Sequence, residues 1–127
     1  MITASAEFGG APYAQTVVIR HHRLIADEGA EHGAADTGPS PSELLLGALA
    51  SCMTVTVQMY ARRKGWDLRH ARVEVSGQTE DGRYVIERRV ILEGDLSDEQ
   101  RARITDVAGR CPVSRRLLEG VLIRSAA

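Results

Sequence analysis

The chain has 127 residues, 43% hydrophobic and 26% charged, a size and balance that suit one soluble domain spanning residues 1–127. Lys and Arg number 16 against 17 Asp and Glu, a formal net charge of −1, so no field draws in nucleic acid or an anionic membrane. Aromatic residues are only 4%, which excludes a stacking platform for single-stranded nucleic acid.

Residues 2–8 and 12–20 read as short strands on either side of Gly9-Gly10, the second carried by the β-branched run Thr16-Val17-Val18-Ile19. A third strand is expected around Leu24 to Ala26, after a turn near His21-His22. From Asp27 to Gly38 the chain is Gly, Ala and acid, a loop in which Asp27-Glu28 is expected to be a solvated edge. Ser40-Pro41-Ser42-Glu43 then combines an N-cap serine, a proline at the first helical position and a glutamate at the third. The following stretch, Leu44 to Ala61, carries no charge, and Arg62-Arg63-Lys64 with Gly65 mark the helix end. Its Ser51, Thr54, Thr56 and Gln58 weigh against a membrane span. A helix buried on nearly all sides is expected instead, and a domain this small needs a second subunit to cover it.

Arg72 to Ser76 alternates polar and apolar, Tyr84 to Leu92 does the same, and Asp81-Gly82 marks a hairpin turn between them. Ser97-Asp98-Glu99-Gln100 is a second capping box, opening a helix to about Ala108 that Gly109 ends. Cys111-Pro112 begins a short helical segment through Leu118, and Val121-Leu122-Ile123 is expected to close the chain as a strand. The fold class is α+β.

Met1 to Gly10 has neither a basic start nor a long apolar stretch, so a cytoplasmic location is expected. In that compartment the two cysteines are reduced thiols rather than a disulfide scaffold. Without a C-x-x-C or H-x-x-x-H pair they make no zinc site. No metal and no cofactor is expected.

Cys52 lies well inside the long helix, beyond reach of the helix dipole, and needs a cation brought from elsewhere to become reactive; otherwise it packs as a small hydrophobe. Cys111 precedes Pro112 and is expected at a helix N-cap beside Arg110, where unpaired backbone N–H groups favour a thiolate. On local features Cys111 is the more reactive thiol. Glu43 invites a catalytic role, but the capping box accounts for it, and it lies roughly 13.5 Å along the helix axis from Cys52 and half a turn out of phase. His21 and His22 read as exposed bystanders.

Three segments together resemble the OsmC/Ohr family of thiol-dependent peroxidases. They are Asp36-Thr37-Gly38-Pro39-Ser40-Pro41-Ser42-Glu43-Leu44-Leu45-Leu46, then Ala50-Ser51-Cys52-Met53, then Arg110-Cys111-Pro112-Val113. The resemblance implies an OsmC-like fold, an antiparallel sheet packed with a long central helix, in an intertwined homodimer with its sites at the subunit interface. It makes Cys52 the peroxidatic cysteine and Cys111 the resolving one. The implied substrate is a small organic hydroperoxide, and the implied reductant a lipoylated protein or another dithiol. It also implies a glutamate where this chain has Ser42, with Glu43 one place on, and an activating arginine from an N-terminal strand, for which Arg20 and Arg23 are the candidates. The Pro-x-Glu-Leu-Leu pattern places the chain nearer an OsmC-like branch. Two functions follow: reduction of organic hydroperoxides, or a non-catalytic redox-sensing or ligand-binding dimer.

Overall fold

Gly9-Gly10 and the turn at Arg20-His21 cut the N-terminal segment into β1 (Ala4–Phe8), β2 (Gln15–Ile19) and β3 (His22–Ala26). They pair antiparallel in the order β1-β2-β3, with Ala4 opposite Ile19 and Ile19 opposite His22. Arg20 adopts φ 55° in the tight turn, a left-handed conformation that suits a two-residue hairpin. The computed structural model describes residues 1–126 and divides into two units, Met1–Leu45 and Leu46–Ala127. This sheet belongs to the first.

Asp27, expected at a solvated loop edge, is instead fully buried. Its Oδ2 accepts hydrogen bonds from Thr37 N (3.0 Å) and Thr37 Oγ1 (2.7 Å), and its Oδ1 accepts from Glu28 N at 2.8 Å. The Asp27 backbone N–H donates to Pro39 O at 3.1 Å. A Cβ on Gly38 would collide with the Ile25 carbonyl oxygen, so only glycine lets the returning chain lie this close to β3. A carboxylate burdened by burial is tolerated because three donors replace its water.

Those donors, the Thr37 N–H first, hold the Asp27 carboxyl below its ordinary value. A depressed folded pKa contributes stability that is complete above the unfolded value, about 3.9, and is lost as pH falls through the folded one. Urea melts should therefore show wild type more stable than Asp27→Asn near neutral pH, the gap narrowing as pH drops below about 4. A gap that stays constant into acid would show that the charge on Asp27 does nothing.

α1 (Pro41–Lys64) begins as the capping box dictates. Ser40 Oγ accepts from Glu43 N at 3.2 Å, and Glu43 Oε1 accepts from Ser40 N at 2.8 Å. Burial along α1 is one-sided: Leu49, Met53, Val57, Tyr60 and Ala61 are buried, while Val55 is 49% and Met59 64% exposed. The all-round burial expected from its charge-free sequence is thus not met within one chain. By length and composition α1 could cross a membrane, but its buried face belongs to the core of the second unit. Ala48, Cys52, Val55 and Met59, spaced four, three and four apart, line its other side as an apolar seam.

β4 (Asp67–Glu80) and β5 (Arg83–Asp95) form a long antiparallel hairpin with Glu80 opposite Arg83. Asp81 (φ 49°) and Gly82 (φ 78°) make the expected turn. Both strands run further than their alternating stretches suggested, and the pairing shifts register between Leu68 and His70. Val73, Val75, Ile86, Val90 and Leu92 pack onto the α1 core with Ile104 of α2 (Asp98–Ala108). Arg101 fastens α2 to the hairpin by donating to Leu92 O (2.8 Å) and Gly94 O (2.9 Å). Arg103 Nε donates to Tyr60 OH at 3.2 Å, and the Tyr60 ring meets Trp66 edge-on at 5.6 Å.

α3 (Pro112–Glu119) follows, and Gly120 ends it. The strand expected at Val121 to Ile123 does not form. These residues are 65–87% exposed and pair with no strand among the described residues. β-branched side chains favour a strand only where a neighbour supplies the ladder.

Candidate active site

The two thiols reach one place from opposite ends of the second unit. α1 carries Cys52 at the border between its buried face and its exposed seam, half-buried. The turn after α2 brings Cys111 to the N-cap of α3, where its Sγ accepts from Ser114 N at 3.4 Å. Both thiols are free, and Cys52 is near enough to be among the groups that raise the Cys111 pKa.

The N-cap seat forms as the sequence suggested, yet it does not lower the Cys111 pKa. Cys111 is fully buried, and burial, the largest influence, pushes its thiol up. The Ser114 N–H pulls the other way, and charge on Cys52 raises it again. The flanking Arg110 does not offset this, because it pairs with Asp106 at 2.7 Å. Burial therefore outweighs the cap, and the seat gives Cys111 no added acidity.

The other candidate residues sit on different elements. Arg20 is exposed in the β2–β3 turn, its guanidinium 3.2 Å from His22 Nε2. Arg23 is exposed on β3, opposite Val18. Glu43 is exposed and engaged in the α1 cap, where the Ser40 backbone N–H, with the Ser40 hydroxyl, draws its carboxyl below the ordinary value. Among the described residues no three His, Cys, Asp or Glu side chains converge to hold a metal ion.

A cavity of about 270 Å³ lies in the second unit, and neither cysteine is part of its lining. Leu49 and Met53, neighbours of Cys52 on α1, form one wall, and Ser114, which donates to Cys111, forms part of another. Arg88 also lines it, and the sequence reading passed over this residue. Ile86, Arg88, Val90 and Leu92 share one parity of β5, but Arg88 is exposed. A larger groove of about 580 Å³ in the first unit, between Phe8 and Tyr13, has no thiol and no charged residue in its lining.

Comparison with known proteins agrees with this architecture. The family model described as OsmC-like protein matches residues 33–125, and the chain belongs to that family. A putative osmotic stress induced and detoxification response protein from Psychrobacter arcticus is similar over 91% of this chain and 87% of its own, with TM-score 0.78 and 21% identity. An OsmC-like protein from Mycoplasma pneumoniae, 24% identical, matches over 95% and 87% with TM-score 0.74. The organic hydroperoxide resistance protein OhrB of Bacillus subtilis, 21% identical, matches over 91% and 88% with TM-score 0.62. No curated protein matches the chain.

Proposed function

We propose that the protein is a cytoplasmic thiol peroxidase that reduces organic hydroperoxides as a homodimer. One observation carries the reading: two free thiols from distant parts of the chain are neighbours, one half-open and one buried. The Cys52 thiolate attacks the distal peroxide oxygen, the O–O bond breaks, and the alkoxide leaves as the alcohol after taking a proton. Cys52 is then a sulfenic acid. Cys111, still protonated, attacks that sulfur, and its proton leaves with the hydroxyl as water while the disulfide forms. A dithiol, of the lipoyl type in the related Ohr branch, takes the oxidation and restores both thiols. Arg20 or Arg23 supplies the positive charge that Cys52 lacks on its own helix. Glu43 serves by fixing the start of that helix.

The experiment is direct: purified protein, cumene hydroperoxide and dihydrolipoamide, with peroxide loss followed over time. Turnover that vanishes in Cys52→Ser supports the proposal. Loss at the rate of the uncatalysed mixture would leave the second reading, a redox-sensing or ligand-binding dimer. The engagement of Glu43 in the helix cap favours that alternative, since Glu43 is then not free to orient an activating arginine.

A further inference from the structure

The last turn of α1 gathers cations around an aromatic ring, and its own carbonyls do not need them. Gly65 N donates to Arg62 O at 3.2 Å and Trp66 N to Ala61 O at 2.9 Å, so the backbone closes the helix end by itself. Arg63 and Lys64 lie over the Tyr60 ring, 5.9 and 5.7 Å from its centroid. Arg103 of α2 joins them at 5.9 Å, and its Nε donates to the Tyr60 hydroxyl. From Arg103 the row continues through Asp106, whose carboxylate is shared between Arg103 (3.4 Å) and Arg110 (2.7 Å). Arg110 immediately precedes Cys111. All four cations are exposed, and among the described residues no salt bridge reaches Arg63 or Lys64. Four cations against one carboxylate make a local positive excess on a chain whose formal net charge is −1. Held around one ring they repel each other, and an anion from outside relieves that repulsion.

We propose that this row is a docking surface for an acidic protein segment, whose carboxylates pair with Arg63, Lys64 and Arg103 and reach Arg110 beside Cys111. The cations stand on α1, on α2 and on the turn after it, a spread that an extended segment spans and a single small anion does not. A nucleic-acid strand fits less well, because the ring at the centre of the row is buried and leaves no face for a base to stack on. The segment belongs to the dithiol protein that restores the Cys52–Cys111 pair: its two thiols become a disulfide as the pair's bond returns to two thiols. That last assignment rests on the peroxidase reading. The docking itself does not, and the test keeps the two apart.

The probes are dye-labelled oligoglutamate and oligoglutamine of equal length, neither with a thiol. Fluorescence anisotropy on the full chain at neutral pH and low salt should give oligoglutamate an affinity about tenfold above oligoglutamine, the scale of several exposed charge pairs acting together. The ratio should shrink toward one as salt rises. Arg63→Glu with Lys64→Glu should abolish the preference. Arg83→Glu with Arg89→Glu, the same change of net charge on the β4–β5 hairpin, should leave most of it. Should the first pair unfold the chain, Arg63→Gln with Lys64→Gln takes its place and should still weaken the preference. Equal affinities in wild type, a preference indifferent to salt, or an equal loss in the hairpin variant overturns the proposal. So does a single-stranded oligonucleotide bound as tightly as oligoglutamate, since the row would then be no protein-docking surface. A chain that binds oligoglutamate through Arg63 and Lys64 but consumes no peroxide removes the peroxidase reading and leaves the docking surface. A chain that turns over peroxide with dihydrolipoamide but does not distinguish the probes does the reverse.

Discussion

Brief exposure to less than one equivalent of cumene hydroperoxide should crosslink Cys52 to Cys111 within one chain. The thiols are already near enough for Cys52 to act on the Cys111 pKa, and a disulfide needs Cα atoms only about 4.4–6.8 Å apart. Cys52 is fixed in the middle of a long helix, whereas Cys111 sits in a turn between Gly109 and the short α3. Cys111 should therefore make whatever movement the bond requires. Cys52→Ser should lower turnover on the order of a thousandfold or more, because it removes the sulfur that attacks the peroxide. Cys111→Ser should still react once and then stop, with Cys52 trapped as sulfenic acid. On a non-reducing denaturing gel the oxidised protein should run as a single chain. Peptide mapping reads the crosslink directly, and intact thiols after exposure would leave no catalytic role for the pair.

Charge placed on the exposed seam of α1 should abolish self-association. Val55 and Met59 are 49% and 64% exposed in the single chain, so glutamates there are tolerated by the monomer. If a second copy covers the seam, each glutamate becomes a buried unpaired charge, at a cost of about 3–5 kcal/mol. The wild-type chain should sediment at twice its mass of 13.8 kDa at micromolar concentration, and the Val55→Glu, Met59→Glu variant at the single mass with its helical signal retained. Because Cys52 borders the same seam, peroxide turnover should fall with dimerisation. A wild-type monomer, or a variant that stays dimeric, would remove the basis for an interface site.

Where the fold was legible, short-range chemistry made it so. The two capping boxes, Ser40 with Glu43 and Ser97 with Gln100, announce helices that begin there because the reciprocal hydrogen bonds form. Asp81-Gly82 likewise announces its turn. What failed depended on partners remote in sequence. Val121 to Ile123 has strand-forming side chains but no ladder among the described residues. Asp27 looks solvated until Thr37 folds back onto it. Cys111 shows the limit within one residue: its N-cap position was legible, but its acidity was not, because burial outweighs the cap. Cys52 could be chosen as the attacking thiol only from the family resemblance.

The clasp around Asp27 has a consequence for chain length. With Asp27 bonded to Thr37 and Pro39, the segment between Glu28 and Asp36 leaves and returns through one fixed gate. The entropy of closing such an excursion grows only with the logarithm of its size, about 0.6 kcal/mol for each doubling. Extra residues inserted there lengthen the excursion without moving the gate, so the serine that opens α1 keeps its place. This is the stretch of the chain where evolution, or a peptide graft, can add length at least disturbance to the helix that carries Cys52.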